Sequence, residues 1–285
     1  MVGAINKRIS VWLIFATIFL PAVASGVWGQ EVQRATKLPM ISSHRGASRM
    51  APENTLVAFS KAIELGSDFI ELDVRTTADG AQVILHDESL KRTAAMDARV
   101  GKISLVNLKK LSAGRWFGEQ YEDQRVPTLE EVCELVVKEN RRLGFVVNLY
   151  VDCKAIDTGE VIRILNQHRL LDSAVFYGDI NTLKEIKKFY KLARVMPSFS
   201  GVKKMDNLIR KLGPYAVDIP FHKLDEATVS LCHKKGIKVF SDLLGQNDIP
   251  VSYRRAIQLE IDLIQTDDIS GVIKTFKEFE ESIQK

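Results

Sequence analysis

Residues 41–93 carry two histidines, Arg45 beside the first of them, and several closely spaced acidic residues, most of them at the ends of short apolar runs. Apolar runs of this length, bounded by Gly, Pro and polar turn residues, are typical of buried strands. Polar residues grouped where such strands end indicate an active site at the rim of a barrel or sheet. This part of the chain therefore holds the best candidates for chemistry.

Two carboxylates share one face of a predicted strand, 69–74. Side chains alternate along a strand, so Glu71 and Asp73 lie on one face and Leu72 on the other. Carboxylates about 7 Å apart repel each other unless a cation lies between them. Oxygen ligands favour Mg²⁺ or Ca²⁺ over zinc. The alternative is a solvated strand face, but the apolar neighbours favour burial.

His44 and His86 each follow an apolar stretch, 38–41 and 83–85. A single histidine is more often structural than catalytic. Two histidines at matching strand ends, on either side of paired carboxylates, indicate a general acid and a general base. Arg45 has a forked side chain suited to a phosphate group, and the alternative is an ordinary surface charge.

These residues together resemble the glycerophosphodiester phosphodiesterase family. The resemblance is strongest over about residues 40–155, and its motifs are specific in combination and in order. They are His44-Arg45-Gly46, Pro52-Glu53-Asn54-Thr55, Glu71-Leu72-Asp73, Thr77, Asp79-Gly80, His86-Asp87, Arg92-Thr93 and Pro127-Thr128-Leu129-Glu130-Glu131.

The resemblance implies a (β/α)₈ barrel that hydrolyses glycerophosphodiesters with one divalent cation, Mg²⁺ or Ca²⁺. It implies that His44 and His86 transfer protons, while Arg45 and Lys154 bind the phosphate. The implied metal ligands are Glu53, Glu71, Asp73 and Asp152. It leaves open which histidine is the acid, and whether the nucleophile is water or the glycerol 2-hydroxyl.

Two departures from the family pattern concern the metal and the substrate. The family usually has Glu-x-Lys where this chain has Asp152-Cys153-Lys154, so the ligand here is one methylene shorter. The family often has a tryptophan at the end of the seventh strand, where this chain has Val239-Phe240-Ser241-Asp242. Phe240 is either a replacement for this aromatic substrate platform or a core residue. Trp116 either walls the substrate pocket or packs an insertion onto the barrel.

The remaining pattern predicts one α/β barrel domain over residues 38–285. Eight strand–helix units can be counted from Leu38 onward, and eight is the barrel number. The alternation of strands and helices is interrupted over about residues 90–126, which predicts an insertion after the second strand. A doubly wound open sheet is the alternative, but no Gly-rich phosphate loop follows any strand.

The first 29 residues have the pattern of a signal peptide, with Lys7 and Arg8 before an apolar run and small residues after it. Residues 30–37 look like a linker. We therefore expect an exported protein with no stable membrane insertion after processing, although an uncleaved anchor is the alternative. Three cysteines are too few for a disulfide framework, although they allow a single disulfide.

The expected partner is a small-molecule phosphodiester. The net charge of +4 is small and no basic block stands out, so nucleic acid is not expected. Two other functions remain open. One is a phospholipase D-like enzyme acting on lysophospholipid or sphingolipid head groups, favoured by an apolar mouth. The other is a secreted binding protein with the same barrel and no catalysis.

Overall fold

The structure is a computed structural model that describes residues 37–284. The predicted signal peptide and nearly all of the predicted linker lie outside the described residues. None of the helices in the described range combines the length and the apolar composition needed to cross a membrane.

Eight parallel strands form a nearly closed barrel, in the order β1-β2-β4-β5-β6-β7-β8-β9, and β1 pairs with β9. Between β6 and β7 the closure is a bridge from Ser198 to Asp218, with the Asp218 N–H donating to the Pro197 carbonyl at 3.1 Å. The predicted barrel is confirmed, and an open sheet is excluded. The strands are β1 Met40–Ser43, β2 Phe69–Thr76, β3 Gln82–Ile84, β4 Asn148–Ala155, β5 Ala174–Tyr177, β6 Arg194–Met196, β7 Ala216–Asp218, β8 Lys238–Asp242 and β9 Leu263–Thr266.

Helices separate the strands and bury an apolar side against the outside of the barrel. Side-chain caps set several helix starts: Thr128 and Glu131 form a capping box at the start of α4, and Asp157 caps α5. The helices are α1 Leu56–Glu64, α2 Lys91–Ala94, α3 Leu105–Leu108, α4 Leu129–Leu143, α5 Thr158–Gln167, α6 Ile180–Phe189, α7 Met205–Leu212, α8 Glu226–Lys234, α9 Pro250–Gln258 and α10 Ile269–Ile283.

The barrel interior has an apolar floor and a polar rim. Its floor is built from inward-facing residues of seven strands, namely Phe69, Tyr150, Val175, Met196, Ala216, Phe240 and Leu263. Side chains alternate along a strand, so the residue two positions further on points into the same space. That residue is polar in all seven cases and lies toward the mouth: Glu71, Asp152, Tyr177, Ser198, Asp218, Asp242 and Gln265.

The hairpin of β2 and β3 departs from the βα rhythm. β3 is antiparallel to the end of β2, with Ile84 opposite Val74, so the chain returns toward the barrel before His86. The segment that follows β3 contains the short helices α2 and α3 and an apolar cluster of its own, which includes Leu90, Val100 and Leu108. This segment contains the region where the sequence predicts an insertion.

The three cysteines, Cys133, Cys153 and Cys232, are buried and free. Burial raises the pKa of the Cys133 thiol to about 12 and that of Cys232 to about 11. The disulfide that the sequence allowed is absent from the structure. These thiols act as small apolar residues of the core.

Candidate active site

Three carboxylates converge at the mouth of the barrel. Glu71 and Asp73 lie on β2, and Asp152 lies opposite Asp73 on the neighbouring β4. One ligand oxygen from each lies within 4.8 Å of the other two. Glu71 and Asp73 are 2% and 1% exposed, which excludes the solvated strand face that the sequence left open.

The chemistry of this cluster fits a hard cation. Asp73 Oδ1 is buried and has no hydrogen-bond partner among residues 37–284, and Lys154 Nζ lies 3.4 Å from it. Burial, and then the charges of Asp73 and Asp152, raise the pKa of Glu71 well above its usual range. Three carboxylates that are only partly neutralised by Lys154 and Arg45 form an all-oxygen set of the kind that Mg²⁺ and Ca²⁺ prefer. The cluster could therefore hold a divalent metal ion.

Glu53 is not part of this cluster. Its Oε1 accepts from Arg45 at 2.9 Å, and both its oxygens accept from Arg92, at 2.7 and 2.8 Å. Burial opposes ionisation, but hydrogen bonds and charges from Arg92 and Arg45 outweigh it and lower the pKa of Glu53. Glu53 lies outside the group of three converging carboxylates, and its role as a metal ligand stays a prediction. In the structure Glu53 holds two arginines at the rim.

Each candidate catalytic histidine is oriented by a carboxylate. His44 follows β1, and its Nδ1 lies 2.8 Å from Asp267 Oδ1. His86 follows β3, and its Nδ1 lies 2.7 Å from Asp87 Oδ1. When Nδ1 donates to a carboxylate, Nε2 is left to accept or deliver a proton. Sequence reasoning selected the histidines but missed both orienting partners.

The loop after β1 brings Arg45 to the acidic cluster. Arg45 has a φ of +57°, and its backbone N–H donates to Glu71 Oε2 at 2.8 Å. Asn54, with a φ of +56°, donates to Asp73 Oδ2 at 2.8 Å. Gly46 lets this loop approach α1, because a Cβ there would lie 2.7 Å from the Ala58 carbonyl carbon. The first two motifs of the sequence thus build one loop.

Lys154, Trp116 and Phe240 occupy three different environments. Lys154 Nζ lies 2.6 Å from Asp152 Oδ2, so its charge is at the cluster. Trp116 is 43% exposed, and its ring centroid lies 5.9 Å from the Arg92 guanidinium carbon at the rim. Phe240 is 1% exposed and packs edge-on against Phe69, with 6.0 Å between the ring centroids. Phe240 is therefore a floor residue, which agrees with the core alternative that the sequence left open.

A cavity of about 550 Å³ opens beside the acidic cluster, lined by residues that include Asp152, Lys154, Tyr177, Asp179 and Ser198. It extends from the ends of β4 and β5 to the segment after β6. A small phosphorylated molecule with its phosphate at the cluster would have room for a substituent here.

The comparisons with known proteins agree with this geometry. The model of the glycerophosphoryl diester phosphodiesterase family matches residues 44–270. The chain belongs to this family. A glycerophosphodiester phosphodiesterase of Caldanaerobacter subterraneus subsp. tengcongensis is 30% identical over 241 residues, which cover 82% of this chain and 96% of that protein. The chain is therefore an enzyme of this phosphodiesterase class.

Solved structures give the same result. An Oleispira antarctica phosphodiesterase in complex with sn-glycerol-3-phosphate matches with a TM-score of 0.75 and 25% identity, covering 84% of this chain and 97% of the other. The glycerophosphodiester phosphodiesterase of Agrobacterium tumefaciens has the same fold, with a TM-score of 0.75, 24% identity and coverage of 82% and 99%.

Two further acidic residues of this phosphodiesterase were not selected from its sequence. Asp218 ends β7 and Asp242 ends β8, and both follow inward-facing residues of the floor by two positions. Burial, and then the charge of Asp242, raise the pKa of Asp218 to about 8. Burial also raises the pKa of Asp242 to about 6. The only signal in the sequence is their alternation with Ala216 and Phe240.

Proposed function

We propose that this phosphodiesterase hydrolyses glycerophosphodiesters to glycerol 3-phosphate and an alcohol, using one divalent cation. The observation that carries the proposal is the pair of carboxylate-oriented histidines beside three converging carboxylates. The names of the relatives and the glycerol 3-phosphate bound to the Oleispira antarctica enzyme support the same substrate class.

Glu71, Asp73 and Asp152 would hold the cation. When bound, a divalent cation neutralises charge that builds on the phosphate oxygens. Arg45 and Lys154 add two fixed positive charges on the same side of the mouth, 3.5 Å and 3.4 Å from Asp73 oxygens. A phosphate ester at this place therefore meets positive charge from the protein itself, and the forked guanidinium of Arg45 can bind two of its oxygens.

The histidines move the protons. One Nε2 accepts a proton from the nucleophile, which is water or the glycerol 2-hydroxyl, and the other donates a proton to the leaving oxygen. His86 lies close enough to Asp152 for its charge to favour ionisation of that carboxylate, which places it on the metal side of the mouth. The charge of His44 acts in the same way on Asp242, across the mouth.

The test is release of glycerol 3-phosphate from glycerophosphocholine by residues 30–285, first with EDTA and then with Mg²⁺ or Ca²⁺ restored. We expect release only with metal, and a loss of about 10²–10⁴-fold in kcat for His44→Ala and for His86→Ala. His168→Ala is the matched control, because His168 pairs with Glu130 on the outside of the barrel.

Other results would redirect the proposal. Full turnover in EDTA would show that the reaction does not need the cation. Normal turnover of either histidine variant would show that this histidine does not transfer a proton. Choline release from a lysophospholipid, with none from glycerophosphocholine, would favour the lipid substrate class, for which the exposed Trp116 ring is the supporting feature. If neither substrate were turned over, the remaining function would be that of a binding protein with the same barrel and no catalysis.

We also propose that the chain is exported and cleaved near residue 29. The charged, apolar and small-residue regions of residues 1–29 support this. Expression of the full chain followed by fractionation and N-terminal sequencing tests it. A mature protein that begins at Met1 in the cytosol would contradict it.

A further inference from the structure

The carboxylates of Asp218 and Asp242 lie across the barrel mouth from Glu71, Asp73 and Asp152, the proposed metal cluster. In the strand order, β7 is four strands from β2 in either direction, and β8 is four strands from β4. The register sets Asp218 beside Phe240, so Asp242 is the next inward residue on the neighbouring strand. Such diagonal neighbours are about 7–8 Å apart, and an eight-stranded barrel is only wide enough to hold a small ligand.

Within the described chain, neither carboxylate forms an ion pair, although the more distant charges of His44 and Lys154 favour ionisation of Asp242. No Lys, Arg or His of residues 37–284 forms an ion pair with Asp218 or Asp242. Asp218 is 9% exposed, and its Oδ1 is buried and without a hydrogen-bond partner in the described part of the chain. A buried carboxylate without partners is costly, and an arriving positive charge relieves that cost. Burial raises the pKa of both groups, and in Asp242 the charges of His44 and Lys154 offset only part of that rise.

An aromatic residue borders the same space. Tyr177 ends β5, and its hydroxyl lies 2.7 Å from Ser198 Oγ, next to the Ser198–Asp218 bridge. Burial, and then the nearby carboxylates that include Asp218 and Asp242, raise the pKa of Tyr177. The cavity beside the metal cluster is lined by both Asp152 and Tyr177, so it connects the cluster with this side of the mouth.

These features favour an organic cation over a metal ion. Among the described residues, the group of three metal-ligating side chains includes neither Asp218 nor Asp242. Two carboxylates without a third ligand suit a large, diffuse charge better than a small hard ion. Carboxylates and an aromatic face together are the usual environment of a bound ammonium group.

We infer that the mouth between Asp218, Asp242 and Tyr177 binds an ammonium group on the alcohol part of the substrate. The preferred substrates are then phosphodiesters of amino alcohols, such as choline or ethanolamine. Asp242 is half-buried and contacts the cation. Asp218 lies behind it, and the arriving positive charge favours loss of the proton that the buried Asp218 carboxyl otherwise retains. This inference rests on the proposed function for the position of the phosphate, which binds at the metal cluster across the mouth.

The first test compares a cationic with a neutral substrate. We expect Asp218→Asn and Asp242→Asn to lower kcat/KM for glycerophosphocholine by about tenfold or more, and to change it less than about threefold for glycerophosphoglycerol. Asp206→Asn is the control, because Asp206 is exposed at the start of α7 and pairs with Lys235. Equal losses on both substrates, or no loss on either, would overturn the inference.

A second test does not depend on turnover. Binding of choline and of its neutral isostere 3,3-dimethylbutan-1-ol to the wild-type chain is measured by calorimetry with inorganic phosphate and Mg²⁺ present. We expect choline to bind at least about tenfold more tightly. Equal affinities would overturn the inference even if an Asn variant did not fold. If neither substrate were hydrolysed but choline still bound selectively, the proposed function would fail and the ammonium site would stand.

Discussion

At the residue scale, the activity should depend on the carboxylate that orients His44. Asp267 accepts from His44 at 2.8 Å and from Ser48 at 2.9 Å, so its position is well fixed. In Asp267→Asn the amide can donate to Nδ1 and favour the wrong tautomer. We expect kcat to fall by about 10²–10⁴-fold while KM changes little, because Asp267 is not in the metal cluster.

The measurement is kcat and KM determined separately with glycerophosphoglycerol, which carries no cationic group. Glu130→Gln is the matched control, since Glu130 holds His168 at 2.8 Å on the outside of the barrel. A change in KM with an unchanged kcat would show that Asp267 shapes the mouth and does not orient a proton-transferring ring.

Single residues also show where sequence reasoning stops. Glu71 and Asp73 of the acidic cluster were predictable because they share one strand face, whereas Asp152 was predicted from the family resemblance. Asp267 was not, because it is 223 positions from His44. Glu53 was predicted to be a metal ligand from the family resemblance. Arg92, 39 positions away, decides where that side chain points.

At the element scale, the loop from β1 to α1 should fail if Gly46 gains a side chain. Gly46 has a φ of +83°, and a Cβ there would meet the backbone of Ala58 at 2.7 Å. In Gly46→Ala we expect a loss of about 1–3 kcal/mol in the free energy of unfolding. Activity should fall as well, because the same loop carries the Arg45 N–H that donates to Glu71.

The measurement compares the free energy of unfolding in urea, and the turnover, of Gly46→Ala with those of Gly66→Ala. Gly66 has a similar φ of +92°, but a Cβ there would have nothing within 4 Å, so its variant carries only the conformational cost of about 1 kcal/mol. Equal destabilisation by both substitutions would show that the contact with Ala58 relaxes freely.

The hairpin of β2 and β3 was only partly predictable at this scale. The apolar segment before His86 was recognised as extended, because three apolar residues in a row are typical of a buried strand. Its direction could not be read from that pattern. The turn at Asp79 and Gly80 sends it back along β2, and this return is what brings His86 to the mouth.

At the scale of the whole molecule, the eight strand–helix units were predictable from alternation alone, but the second acidic group was not. Asp218 and Asp242 each look like an ordinary polar residue at the end of a short strand. They become neighbours only because β7 and β8 pair, and they face the metal cluster only because the barrel closes through the bridge from Ser198.

The same closure should make the stability of the whole domain depend on pH. Burial and the charges of Asp242 and Asp152 raise the pKa of Asp218 to about 8, against about 4 in an unfolded chain. Between these values the folded protein retains a proton that the unfolded chain has lost, so its stability falls as the pH rises from about 4 to about 8. The raised pKa values of Glu71, Asp152 and Asp242 act in the same direction.

The Asp218→Asn variant lacks one of the carboxyl groups that retain a proton in the folded protein. We expect the free energy of unfolding in EDTA, measured by urea at pH 5 and pH 8, to differ between the two pH values by a few kcal/mol less than in the wild type. Asp206→Asn, exposed on the surface, should keep the wild-type difference. An unchanged difference in Asp218→Asn would mean that the Asp218 carboxyl titrates as it does in the unfolded chain. The two mouth acids would then not be held as an uncompensated pair.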